Sequence, residues 1–115
     1  QIRFLPHVAP FFRGLIVTAS IELHEPTTPG ALCACYEAAY EAEPLIDPIG
    51  VDVPLVRQIA GRDGAVVGGV SVDRDDPRRV AVVGALDNLR KGAATQALQN
   101  INIALGHDEY QGLER

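Results

Sequence analysis

The strongest constraint on the fold is a pair of apolar, β-branched segments separated by a short charged one. Residues 65–73 and 79–87 are rich in valine, and the residues between them read RDDPR. β-Branched side chains favour strands, whereas proline and aspartate favour turns. The pattern therefore predicts an antiparallel hairpin with a polar turn.

Two more strands and a helix are predicted before this hairpin. Residues 2–5 are short and mostly apolar, and residues 15–23 read LIVTASIEL, so each segment predicts a strand. Thr28 followed by Pro29 is typical of a helix start, and Pro44 marks the end of that helix. The apolar positions of this helix recur at helical spacing: Leu32, Cys35, Tyr36 and Ala39.

A second helix is predicted at about residues 91–105, with Gly106 as its stop. Its predicted apolar stripe consists of Ala94, Leu98, Ile101 and Leu105. Residues 43–57 carry Pro44, Pro48, Gly50 and Pro54, which indicates an extended connection with room for one short strand.

The order strand, strand, helix, strand, strand, helix predicts an α+β fold. We expect a mainly antiparallel or mixed sheet with helices on one face, forming one domain over residues 1–115. The other face of the sheet would stay partly apolar and uncovered. Such a face usually packs on another domain or subunit, so oligomerisation through the sheet is expected.

Composition excludes several classes of function. The net charge of −5 and the pI near 5.0 disfavour nucleic-acid binding, and no apolar stretch approaches the length that spans a bilayer. Cys33 and Cys35 lie two residues apart in the first helix and point in different directions, so we expect free thiols in a reducing compartment. His107, Asp108 and Glu109 are consecutive and are not expected to hold a metal.

Two blocks of sequence resemble a known enzyme family. Residues 4–14 read FLPHVAPFFRG and precede a predicted strand, and residues 85–102 read ALDNLRKGAATQALQNIN at the start of the last helix. Both resemble blocks of the N-acetyl-gamma-glutamyl-phosphate reductases, which are related to the aspartate-semialdehyde dehydrogenases. Leu5 stands where that family commonly has threonine, and Arg90 stands where it commonly has an apolar residue.

The resemblance implies an NADPH-dependent, cytoplasmic reductase of arginine biosynthesis that acts on an acyl phosphate. In that family a cysteine thiolate forms a thioester, hydride from NADPH reduces it to the semialdehyde, and a histidine serves as acid and base. The blocks that carry this cysteine and histidine do not occur in the sequence, so no catalytic residue is assigned. We expect a C-terminal substrate and dimerisation domain, inactive alone, from a homodimer or homotetramer.

The cofactor would then be NADP, bound mainly by an N-terminal nucleotide-binding domain on which the helix at 91–105 packs. The resemblance assigns Asn88 to the nicotinamide carboxamide, and Lys91 and Gly92 to the neighbourhood of an anionic ligand. Asn88 has the alternative of capping the last helix, since asparagine is a preferred cap. Lys91 has the alternative of a solvated surface group.

His7 and Arg13 are the candidate substrate-binding residues. His7 lies at a predicted strand end, and the planar guanidinium of Arg13 suits a carboxylate or phosphate. The alternatives are a structural histidine and an arginine that pins the loop. Two further functions stay open: a related reductase of aminoadipyl or aspartyl phosphates, or a non-catalytic module for dimerisation or ligand binding.

Overall fold

Four strands form one mixed sheet in the computed structural model, which describes residues 4–113. The strands are β1 (Leu15–Glu22), β2 (Ile46–Pro48), β3 (Ala65–Val72) and β4 (Arg79–Leu86). Their order across the sheet is β1-β4-β3-β2, with β4 antiparallel to both neighbours and β2 parallel to β3. The predicted α+β class with a mainly antiparallel, mixed sheet is confirmed.

The predicted hairpin is β3 and β4, and each strand ends one residue earlier than predicted. Its tip is held by Asp73, whose Oδ1 accepts hydrogen bonds from the backbone N–H groups of Asp75 at 2.8 Å and Asp76 at 3.0 Å. These bonds lower the pKa of the Asp73 carboxyl. Asp76 in turn pairs with Arg78 at 2.9 Å, so the tip is a polar turn as expected.

A β-bulge interrupts β3 at Gly69. Gly68 lies opposite Val83 and Ser71 lies opposite Ala81, so two residues of β3 face a single residue of β4. Gly69 has φ +59°, a conformation that glycine adopts without strain. The displaced backbone N–H of Gly69 donates to the carbonyl of Asp52 at 2.6 Å, which fastens the 50–52 loop to the sheet.

Three α-helices accompany the sheet: α1 (Pro29–Tyr40), α2 (Val56–Ile59) and α3 (Thr95–Leu105). Thr28 caps α1 through its hydroxyl, which accepts the N–H of Ala31 at 3.2 Å, as its position before Pro29 predicts. Gly106 ends α3 with φ +73°, also as predicted. A π-helical turn (Arg90–Ala94) precedes α3 without a break, and neither this turn nor α2 was predicted.

The strand predicted at residues 2–5 is not observed at residues 4 and 5, while residues 2 and 3 lie outside the described residues. The backbone here stays irregular up to β1, and Phe4 and Leu5 are 84% and 72% exposed. Within residues 4–113, β1 is an edge strand that pairs only with β4, so no strand pairs with this segment. An apolar segment therefore did not suffice for a strand.

The predicted apolar stripe of α1 is only half right. Leu32 and Tyr36 are half-buried, whereas Cys35 and Ala39 are exposed. The helix packs on β2 and β3 at the edge of the sheet. The edge of the sheet is too narrow to cover all four predicted positions of the helix.

The side chains of α3 that are buried in this domain are polar and do not belong to the predicted apolar stripe. Thr95, Gln99 and Asn102 are buried, while Ile101 and Leu105 are 53% and 67% exposed. The polar side chains turn inward because the 61–63 loop and the tail after α3 supply hydrogen-bond partners for them. Of the predicted stripe, Ala94, Ile101 and Leu105 are exposed and Leu98 is half-buried.

The core is small and lies around β3, β4 and the loops beside them. Its buried apolar residues are Leu45, Ile59, Val70, Val80, Val82 and Ala85. By contrast, all eight residues of β1 are exposed, and they include Leu15, Ile16, Val17 and Ile21. The uncovered apolar surface was expected on one face of the sheet; it is found on the edge strand β1, which is exposed on both faces. Across residues 4–113 no helix has the length and apolar character to cross a bilayer.

Candidate functional site

The candidate site lies at the end of the sheet where β4 stops. Because β4 is antiparallel to β1 and β3, its last residues lie beside the residues that precede those two strands. Asp87 and Asn88 follow β4, Gly14 precedes β1, and Gly61 lies in the loop before β3. We call this cluster, with Arg13, the β4 corner.

Asp87 is the centre of the β4 corner and is fully buried. Its Oδ1 accepts hydrogen bonds from the backbone N–H groups of Leu89 at 2.9 Å and Arg90 at 3.2 Å. Its Oδ2 accepts the N–H of Gly61 at 2.6 Å and forms an ion pair with the guanidinium of Arg13, whose Nε lies 3.0 Å away. One carboxylate therefore joins three separate segments of the chain.

The electrostatics of this carboxylate follow from those partners. Burial by itself would raise the pKa of Asp87, because a charged group is poorly solvated there. Hydrogen bonds from Gly61, Leu89 and Arg90, together with the positive charge of Arg13, outweigh burial and lower the pKa below its usual value. Asp87 is thus an ionised group held in place, without the raised pKa of a proton donor at neutral pH.

Asn88, the predicted carboxamide contact, is exposed beside this carboxylate. Its Oδ1 accepts the backbone N–H of Gly14 at 2.7 Å. The side chain therefore does not cap the last helix, and the alternative of a helix cap is wrong. Asp87 takes that place by accepting the N–H groups of Leu89 and Arg90. Within residues 4–113, the Nδ2 group of Asn88 donates to no protein acceptor.

Arg13, a predicted substrate contact, points into the β4 corner. Its guanidinium is about one-third exposed and pairs with the fully buried carboxylate of Asp87. Its Nη2 lies so close to Gly61 that a Cβ there would be 2.8 Å away. Arg13 therefore pins the loop before β1, which is the structural alternative that the sequence left open. A contact with substrate stays a prediction.

Lys91 and Gly92 lie in the π-helical turn, and both are engaged within the domain. The Nζ of Lys91 donates to Oε1 of Gln99 at 2.6 Å, and Gln99 in turn donates to Glu109 at 2.7 Å. Gly92 donates its N–H to the carbonyl of Asp87 at 3.0 Å. A Cβ on Gly92 would lie 3.2 Å from the side chain of Leu86, so glycine permits close packing on the end of β4.

His7 is not part of the β4 corner in this chain. It lies in the exposed, irregular segment before β1, and the hydrogen bonds described for the corner do not include it. Its neighbour Val8 is fully exposed, so this part of the segment has little contact with the rest of the domain. A role for His7 in substrate binding stays a prediction.

Sequence reasoning missed both buried aspartates near the corner. Asp63 accepts hydrogen bonds from the Thr95 hydroxyl at 2.7 Å and from Arg90 at 3.1 Å. The charge that Arg90 adds near the corner is thus paired with a buried carboxylate. The available signal was the position of Asp87 directly after an apolar strand, next to a residue already singled out. Asp63 offered no comparable signal.

Two thiols and one cleft have no assigned role. Cys33 and Cys35 are free thiols in α1. An open cleft of about 450 Å³ lies beside the 61–64 loop and is lined by Leu45, Ile59 and Asp63 among others. Its walls belong mainly to the segments that precede β2 and β3. No group of three potential metal ligands is found within residues 4–113.

The fold and the β4 corner together define a class: an α+β domain that uses one end of a mixed sheet to build a polar corner and leaves an apolar edge strand uncovered. Residues 1–88 match the family described as semialdehyde dehydrogenase, dimerisation domain. The chain belongs to this family.

Curated relatives support the same assignment. An N-acetyl-gamma-glutamyl-phosphate reductase of Xanthomonas oryzae is 49% identical over 108 residues, which are 94% of this chain and 34% of that protein. Protein arg-6, mitochondrial, of Neurospora crassa is 44% identical over 98% of this chain and 13% of its own length. The chain thus spans about a third of the length of the bacterial relative.

Solved structures with the same fold include aspartate-semialdehyde dehydrogenases. A probable enzyme of this kind from Pseudomonas aeruginosa aligns with TM-score 0.71 and 30% identity, covering 86% of this chain and 29% of that one. Aspartate semialdehyde dehydrogenase II from Vibrio cholerae aligns with TM-score 0.68 and 28% identity, covering 84% of this chain and 28% of that one. The resemblance seen in the sequence is confirmed at the level of the family.

Proposed function

We propose that this chain is the C-terminal part of an NADPH-dependent reductase that converts N-acetyl-gamma-glutamyl phosphate to N-acetylglutamate semialdehyde. The observation that carries the proposal is 49% identity, over 94% of the chain, to a protein of that name. The activity belongs to the full-length protein, since the nucleophilic cysteine and catalytic histidine blocks of the family do not occur among these residues. We also propose that the enzyme acts in arginine biosynthesis and in the cytoplasm.

Within that enzyme, the β4 corner contributes to the cofactor site, and an N-terminal domain holds most of NADP. The residues fit this role, because Asn88 is exposed and its Nδ2 group is available as a donor beside a buried, ordered carboxylate. NADPH supplies a hydride when bound, and a donor from Asn88 would fix the plane of the nicotinamide ring. Lys91 and Gly92 would line the same side, with Lys91 kept in place by Gln99.

Two apolar surfaces suit the partners that such an enzyme needs. The outward stripe of α3, which includes Ile101 and Leu105, would pack on the N-terminal nucleotide-binding domain. The exposed side chains of β1 would pack on a second subunit, giving a homodimer or homotetramer. His7 and Arg13 remain the candidate contacts to the acyl-phosphate substrate.

The test is an assay of the full-length protein in the reverse direction. N-acetylglutamate semialdehyde, phosphate and NADP are expected to give NADPH, measured by its absorbance, and the rate should require phosphate. Absence of turnover with an intact, folded protein would contradict the proposal.

A second candidate substrate is favoured by the similar solved structures, which are aspartate semialdehyde dehydrogenases. An aminoadipyl-phosphate reductase would share the same chemistry. One methylene changes binding by only about 1–3 kcal/mol, so the three enzymes differ in pocket details. Comparing kcat/KM for aspartate semialdehyde, N-acetylglutamate semialdehyde and the aminoadipate homologue separates them, and we expect the N-acetylglutamate compound to be preferred.

A further inference from the structure

The contacts of Asp87 exceed what a helix cap requires. A cap would need only the N–H groups of Leu89 and Arg90, which Oδ1 accepts. Oδ2 instead reaches the backbone of Gly61 at 2.6 Å and the guanidinium of Arg13 at 3.0 Å. These two donors come from the loops before β3 and β1. The carboxylate therefore fixes the end of β4 against both neighbouring strands.

A second contact runs alongside the Asp87–Arg13 pair. The next residue along the chain from Asp87 is Asn88, and the next residue from Arg13 is Gly14. Oδ1 of Asn88 accepts the N–H of Gly14 at 2.7 Å. Residues 13–14 and 87–88 are thus joined by two adjacent contacts, one of which is buried on the Asp87 side.

This arrangement determines which hydrogen-bonding group Asn88 offers to a ligand. An amide side chain has an acceptor oxygen and a donor nitrogen, and the oxygen of Asn88 is already occupied by Gly14. The group left for a ligand is the Nδ2 donor. A donor of this kind matches a carbonyl oxygen and does not match an amino group.

We propose that Asp87 is a positioning residue, which holds Asn88 with its oxygen on Gly14 so that Nδ2 donates to the carbonyl oxygen of a carboxamide. The proposal rests on the proposed function, in which that carboxamide belongs to NADP. Asparagine at position 87 would not serve equally well. In one orientation its NH₂ group would face the N–H of Gly61 and the guanidinium of Arg13, and in the other it would face the N–H groups of Leu89 and Arg90. All of these groups are donors.

The experiment compares cofactor analogues on the full-length protein. The 3-acetylpyridine analogue of NADP keeps the carbonyl oxygen and lacks the amino group, whereas the thionicotinamide analogue replaces the oxygen by sulfur, a weak acceptor. We expect the wild-type protein to bind the acetylpyridine analogue within about threefold of NADP and the thionicotinamide analogue about tenfold more weakly, since one hydrogen bond corresponds to about that factor. We call the Kd of the thionicotinamide analogue divided by the Kd of NADP the thionicotinamide ratio. Asn88→Ala should bring this ratio close to one.

Asp87→Asn should lower the same ratio toward that of Asn88→Ala, because Asn88 loses its fixed orientation. The matched control is Asp76→Asn, which changes an arginine-paired carboxylate at the opposite end of β4. This control is expected to keep the wild-type ratio. An Asp87→Asn protein that is less stable but keeps the wild-type ratio would reduce Asp87 to a structural role and overturn the proposal. So would a wild-type protein that binds the acetylpyridine analogue more than tenfold worse than NADP.

A second measurement does not depend on any nucleotide. The amide hydrogen of Gly14, which is bonded to Asn88 and not to Asp87, should exchange about tenfold faster in Asp87→Asn, as in Asn88→Ala. Unchanged exchange at Gly14 in Asp87→Asn would overturn the positioning role. If exchange rises as expected but the protein binds neither NADP nor NADPH, the positioning of Asn88 holds, its carboxamide ligand is refuted, and the proposed function fails separately.

Discussion

Substitution of Asp87 by alanine removes a carboxylate that accepts three backbone N–H groups and pairs with Arg13. Loss of one partner of a buried ion pair costs about 3–5 kcal/mol, and a buried donor left without an acceptor costs about 1–3 kcal/mol. Arg13 is about one-third exposed and can regain water, which reduces the first figure. Gly61 is half-buried and regains less. We therefore expect Asp87→Ala to lower the free energy of unfolding by about 3 kcal/mol.

Urea unfolding of the full-length protein, followed by circular dichroism, measures this change. Asp76→Ala is the control and should have little effect, because its ion pair is exposed. A loss below about 1 kcal/mol for Asp87→Ala would refute the reasoning that its four contacts stabilise the domain. The substitution should also make the exchange of the Gly61 amide faster.

The pH dependence of this loss follows from the lowered pKa of Asp87. A carboxyl whose pKa is lower in the folded state stabilises the protein above its unfolded pKa of about 3.9 and loses that contribution as pH falls through the folded pKa. The difference in stability between wild type and Asp87→Ala should therefore be constant near neutrality and shrink below about pH 4. A difference that grows as the pH falls would have the wrong sign.

Three further substitutions test other parts of the fold. Gly69→Ala should destabilise the protein by about 1–3 kcal/mol in urea unfolding, since φ is +59° and the new Cβ would lie 2.8 Å from a side chain of β4. Gly84→Ala is the control and should change stability little, because a Cβ there would meet open space. Val17→Lys should weaken self-association in sedimentation by placing a charge on β1, and Val51→Lys, in an exposed loop, should not. Ile101→Glu should leave the fold intact by circular dichroism yet raise the KM for NADP if α3 packs on a nucleotide-binding domain.

The sheet was predictable largely because its signals are local. The β-branched runs and the RDDPR turn indicate β3 and β4 within one residue at each end, and the β-branched residues in 15–23 indicate β1. Thr28 and Gly106 likewise mark helix ends through their own side chain or conformation. Helix α2 was not predicted, because four residues contain too little of a period to recognise.

The sequence did not show which surface each helix face packs on, or which groups each charged side chain contacts. Periodicity groups Leu98, Ile101 and Leu105 on one side of α3, but it does not say whether that side meets this domain or another. The site shows the same limit. Asn88 was identifiable from its neighbours in the sequence. Two of the groups that hold Asp87 lie far along the chain, 26 residues away at Gly61 and farther still at Arg13.

The π-helical turn before α3 has a geometric consequence for the whole C-terminal segment. The N–H of Gly92 bonds to the carbonyl of Asp87, and that of Ala94 bonds to the carbonyl of Leu89, so each bond spans five residues in place of four. One surplus residue advances every later side chain by about 100° around the helix axis. Deleting Ala93 would turn the helix back by that angle and move Thr95 away from Asp63 and Gln99 away from Lys91. Faster amide exchange in the 61–63 loop would report the loss of the contact to Asp63.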